Sequence, residues 1–125
     1  MTKEKPFDIK ERTFGFGVRI VRLVNTLPRS IAGGKVAEQL VKSGTSIGAN
    51  VEEADGAESK RDFVHKMSIA RKEARETRYW LRIVRATGLS KDTQEVGYLL
   101  QESDELVRIL SAIIKSAKRS MTNDK

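Results

Sequence analysis

Arg71, Arg75, Arg78, Arg82 and Arg85 recur at steps of four and three, the spacing that lines side chains along one side of a helix. At a rise of about 1.5 Å per residue the row is about 21 Å long, enough to span several phosphates of a nucleic-acid backbone. Guanidinium groups suit that task because each offers a planar fork of donors to phosphate oxygens. The same row has a purely structural use. Glu73 and Glu76 lie on the other flank of the segment with Ile69, Trp80 and Ile83, so one edge is basic and the other acidic and apolar. Arginines of one copy can then pair with Glu52, Glu53, Glu73 or Glu76 of another, and a head-to-tail contact of that kind closes into a ring if its rotation permits. Both uses stay open.

Other residues able to do chemistry are weaker candidates. The stretch SGTSIGANVEEA, from Ser43 to Ala54, has the glycines and hydroxyls of a phosphate-cradling loop. Yet Val36, Leu40, Ile47, Val51 and Ala54 keep helical register through it, and the Lys-Ser/Thr ending of a P-loop is missing. The stretch therefore reads as helix. Gly44 and Gly48, four apart, then open a groove where another helix can come close, at about 1 kcal/mol each in helix propensity. Thr45 and Asn50 are expected to hydrogen-bond inside that packed interface. Trp80 and Tyr79 raise the prospect of stacking on unpaired bases, with interface filling the stronger reading for Trp80. His65 is the only histidine and has no placed partner for acid–base work, so a surface role is expected. Glu52/Asp55 and Glu73/Glu76 lack the Glu-x-x-His spacing of di-iron bundles and read as surface carboxylates.

These residues must be positioned by a chain of 125 residues without cysteine, which excludes disulfides, thiolate nucleophiles and Cys-ligated zinc. A net charge of +7 favours an anionic partner. Residues 59–86 hold nine Lys and Arg against three Asp and Glu, so the excess is concentrated around the arginine row. The charged start MTKEKPFDIKER and the short apolar runs predict a soluble, untargeted, cytoplasmic protein with no membrane association. Pro28 ends a first helix from about residue 8 to 27, and a second spans about 34–56. Ser59 with Asp62 caps a third over 60–87, stopped by Gly88; Asp92 with Glu95 opens a fourth over 92–120, and the tail MTNDK is expected to fray. Phe63, Met67, Ala70, Ala74, Thr77, Leu81 and Val84 form a heptad seam in the third helix. The first has two apolar stripes, Phe16, Ile20, Leu23, Leu27 and Phe14, Val18, Val21, so it should be covered on two sides, once by its own bundle and once by a second copy. The whole of 1–125 reads as one all-α domain, an antiparallel up-and-down four-helix bundle.

EQLVKSGTSIGANVEEA followed by SKRDFVHKMSIARKEARETRYWLRIV closely resembles the bacterial 23S rRNA intervening-sequence proteins. Ser46 to Asn50, Phe63, Lys66, Ile69, Ala70, Lys72 to Ala74, Glu76, Thr77 and Tyr79 to Leu81 carry the resemblance. Many relatives have Glu-Gly after the Asn where this chain has VEEA, a subgroup difference. The resemblance implies a four-helix bundle in a homopentameric ring, with a suspected nucleic-acid association and no catalytic residues to transfer. The combined expectation is a non-enzymatic oligomer without cofactor that contacts RNA or DNA phosphates through the five arginines, with Gly44, Gly48, Asn50, Trp80 and Ile83 at the oligomer interface. The alternative is a structural module, with an unidentified protein partner, whose arginines form only inter-subunit salt bridges.

Overall fold

The computed structural model describes residues 8–123. The stretch MTKEKPF and the last two residues of the tail lie outside the described residues. Four helices follow one another, α1 (Asp8–Val24), α2 (Ile31–Asp55), α3 (Lys60–Thr87) and α4 (Thr93–Asn123), with no strand among the described residues. Each connection is only a few residues, so successive helices run antiparallel, and α1 returns to lie beside α4. The architecture is the four-helix bundle that the periodicity predicts.

The helix ends follow from local chemistry. Ser59 accepts a hydrogen bond from the Asp62 amide at 3.0 Å and Asp92 accepts one from the Glu95 amide at 3.1 Å, satisfying donors that the first turn leaves unpaired. Gly88 closes α3 in the left-handed region, at φ 66°, where glycine has no side chain to clash. Three boundaries differ from expectation. α1 stops at Val24, but tighter bonds from the Thr26 amide to Leu23 and from the Leu27 amide to Val24 carry the chain round, which keeps Leu27 buried. α2 begins at Ile31 because Ser30 caps it, accepting from the Gly33 amide at 3.0 Å. Gly33 is a first-turn residue there, and a Cβ on it would lie 2.1 Å from the Pro28 carbonyl oxygen. At the other end α4 continues to Asn123, past the expected stop at 120.

One core runs the length of the bundle. Met67, Ala70, Ala74, Thr77, Leu81 and Val84 of α3 are buried as the seam requires, with Phe63 half-buried at its start. Val36, Leu40, Ile47, Val51 and Ala54 of α2 and Val96, Leu99, Leu106 and Leu110 of α4 face them. Polar residues inside are satisfied: Ser43 donates to the Gln39 carbonyl at 3.0 Å and accepts from Thr77 across the α2–α3 seam at 2.9 Å.

Candidate nucleic-acid interface

The arginine row of α3 divides in two. Arg71 donates to the Ser111 hydroxyl at 3.2 Å and Arg78 pairs with Asp104, so both lean toward α4 and are half-buried. Arg75, Arg82 and Arg85 are exposed and have no ion-pair partner among the described residues. Helix geometry accounts for the split: at about 100° per residue 75 and 82 stand about 40° further from the seam than 71 and 78, and Arg85 lies in the last turn of α3. The acidic flank faces the other way, toward α2. There Glu73 is held above the ordinary carboxyl range, first by burial and next by the charge of Glu76, with Lys72 and Lys42 opposing the shift.

SGTSIGAN is helical throughout, and its polar groups are used by its own backbone. Thr45 donates to the Val41 carbonyl at 2.7 Å, Ser46 to Lys42 at 2.7 Å, and the Asn50 amide to Ser46 at 2.9 Å. No phosphate cradle remains there. Thr45 is exposed rather than sealed in an interface, and Asn50 is half-buried. The close neighbour that Gly44 and Gly48 admit is α1 of the same chain. A Cβ on Gly44 would meet Ile20 Cγ2 at 2.8 Å, and one on Gly48 would meet the Thr13 backbone at 3.3 Å. Gly44 is buried beneath Ile20 and has no surface to offer a second copy, a correction to its expected place at the oligomer interface. Gly48 stays partly open, whereas Gly17 is buried in its close approach to the Gly44 and Thr45 backbone.

A profile of the family described as 23S rRNA-intervening sequence proteins matches residues 5–112. The chain belongs to that family. It is also similar to the crystal structure of a protein of unknown function from the S23 ribosomal protein family of Bacteroides thetaiotaomicron VPI-5482. The two share 38% identity at a TM-score of 0.76, covering 86% of this chain and 98% of that one. No curated protein matches the chain.

Around this intervening-sequence bundle, two surfaces are left uncovered by the described residues. The second stripe of α1 faces outward, as its pattern implies: Phe14 is 66% exposed, Val21 is exposed and Val18 half-buried. With Gly17, Thr45, Gly48 and Ala49 they line an apolar groove of about 500 Å³ between α1 and α2. Lys10 stands at one end, donating to Asp55 at 3.0 Å and lying 3.6 Å from Glu52; the Asp55 bond raises its pKa. Those two carboxylates are therefore occupied by a lysine. The second surface is the outer side of α3. Trp80 is half-buried there, its indole N–H donating to Glu76 at 3.2 Å, and Ile83 packs partly against the core. Tyr79 stands free of the core, 52% exposed, with its ring edge-on to Trp80 at 5.2 Å between centroids. His65 is exposed.

The pairing of α1 with α4 escaped the sequence reading. Arg12 donates to both oxygens of Glu102 at 2.6 and 2.9 Å and to Glu105 at 2.8 Å; Arg19 grips Glu95 at 2.7 and 2.9 Å and lies 3.8 Å over the Tyr98 ring. The Glu95 bond raises the Arg19 pKa further. A signal was present, since Arg12 and Arg19 are one heptad apart, as are Glu95 and Glu102. It becomes legible only once α1 and α4 are known to be antiparallel neighbours.

Proposed function

We propose that this chain is a non-enzymatic accessory or adaptor protein of the cytoplasm that assembles with copies of itself and holds RNA or DNA by the phosphate backbone. The observation that carries the reading is the exposure of Arg75, Arg82 and Arg85, without ion-pair partners among the described residues, on the most cationic helix of a +7 chain. Guanidinium groups held on a rigid helix lose little freedom when they meet phosphates, and each contact releases condensed counterions. Arg71 and Arg78 flank that row with their guanidinium groups already oriented by Ser111 and Asp104, and they contribute less. Backbone contacts carry no base information, so recognition is not by sequence.

Self-assembly belongs to the same reading. The apolar groove of α1 and α2 is what a second copy would cover, and the family resemblance makes a pentameric ring the natural closed form. A ring presents the arginine row several times, so weak single sites sum through avidity. The experiment is a salt titration of binding to RNA and to DNA. The logarithm of affinity should fall linearly with the logarithm of salt concentration, by about 0.9 per duplex phosphate contacted. Absence of binding at low salt to either polymer would refute the nucleic-acid role. The arginines would then serve salt bridges alone, a use that the Arg78 pair with Asp104 of α4 already exemplifies.

A further inference from the structure

Tyr79 occupies an unusual place on α3. Positions 72, 75, 79, 82 and 86 follow one another on the side of the helix opposite the buried seam, and Lys72, Arg75, Tyr79, Arg82 and Ala86 are all exposed. The ridge is cationic with one aromatic set into it. Trp80, the other aromatic, is withdrawn toward the core and tied to Glu76, but its ring props Tyr79 from the side. Along the axis Tyr79 lies about 6 Å beyond Arg75 and about 4.5 Å before Arg82. Guanidinium, ring and guanidinium thus alternate along the ridge as phosphate, base and phosphate alternate along an unpaired strand.

We propose that Tyr79 stacks an unpaired base between the phosphates held by Arg75 and Arg82, so that the ridge selects single-stranded over duplex nucleic acid. The inference rests on the phosphate-contact reading above and adds to it the class of ligand. A duplex offers phosphates to the arginines but keeps its bases stacked inside, leaving the phenol ring with no flat partner. A single strand satisfies both kinds of group at once. Stacking on an aromatic side chain is sequence-tolerant because every base has a π-face, and its loss lowers affinity by about five- to hundred-fold per base.

Fluorescence anisotropy with labelled oligo-U, oligo-dT and a duplex of equal length tests this, on wild type, Tyr79→Ala, Tyr79→Phe and the double variant Arg75→Glu/Arg82→Glu. Wild type should bind the single strands at least about five-fold tighter than the duplex. Tyr79→Ala should drop the single strands to the duplex value, and Tyr79→Phe, which keeps the ring, should restore the preference. Trp80 is the only tryptophan, so its emission should change as single strands are added. The two oligonucleotide arms report whether ribose or deoxyribose is preferred. Equal single-strand and duplex affinity in wild type, or an unchanged preference in Tyr79→Ala, overturns the stacking role while leaving phosphate contact intact. Dissociation of the oligomer by Tyr79→Ala would place the ring in a subunit contact and overturn it too. Failure of wild type to bind any of the three polymers removes the phosphate reading beneath it. Loss of all binding in the double arginine variant, with sedimentation unchanged, supports that reading independently.

Discussion

Gly44 leaves no room for a side chain. Ile20, fully buried and branched at Cβ, sits where a Cβ would go, so Gly44→Leu should overpack the α1–α2 contact and cost about 1–3 kcal/mol in chemical denaturation. Gly97, in α4, has nothing within 4 Å of the corresponding point; Gly97→Ala should stabilise by about 0.5–1 kcal/mol through helix propensity alone. The contrast separates glycines kept for packing from those that are not. Glu73 gives a prediction of opposite kind. Its folded pKa is raised, mainly by burial, so the folded chain holds this proton more tightly than the unfolded one. Stability should therefore decline as pH rises above the unfolded carboxyl value of about 4.3, and level off above the folded pKa. Glu73→Gln removes that decline, so thermal melts across the window should show a flatter pH profile with no loss of melting temperature at neutral pH.

Helix α1 is held by two unlike seams. Toward α2 it is apolar and close, through Gly17, Gly44 and Gly48; toward α4 it is bridged by Arg12 and Arg19 to Glu95, Glu102 and Glu105. Arg12 and Glu102 are mostly shielded, at 22% and 13% side-chain exposure, so the pair is not an ordinary surface bridge. Arg12→Met leaves Glu102 without that fork and should cost about 1.5–3 kcal/mol, with amide exchange in α1 accelerating before that in α2 and α3. The sequence told part of this in advance. The α3 seam, the Ser59 and Asp92 caps, the Gly88 stop and the two stripes of α1 all depend on residues near one another in the chain, and each stands where its spacing puts it. The start of α2, expected at about 34, lies at Ile31 because Ser30 caps the turn before Gly33 and Gly34. Gly44 was legible as a close-approach residue, but which helix approaches is a tertiary fact. The division of the arginine row has the same origin, since Ser111 and Asp104 belong to α4.

The bundle as a whole shows two contrasting faces. The groove beside Phe14, Val18 and Val21 is apolar, whereas the outer ridge of α3 is cationic with a single tyrosine. Wild type should sediment as several subunits at micromolar concentration. Phe14→Asp should shift it toward monomer without lowering helical content, because Phe14 contributes little to the core of its own chain. A wild-type monomer would remove self-assembly from the account. The proposed function assigns assembly and binding to separate faces, which makes the central claim testable. Arg75→Glu with Arg82→Glu reverses charge at two exposed positions that have no ion-pair partner among the described residues. Gel shift on RNA and DNA at low and moderate salt, with sedimentation run on the same samples, is the decisive measurement. The expected result is salt-sensitive binding by wild type that the double variant loses while remaining oligomeric. Unchanged binding by the double variant, or an oligomer that falls apart with it, would contradict a phosphate-contacting role for the outward arginines.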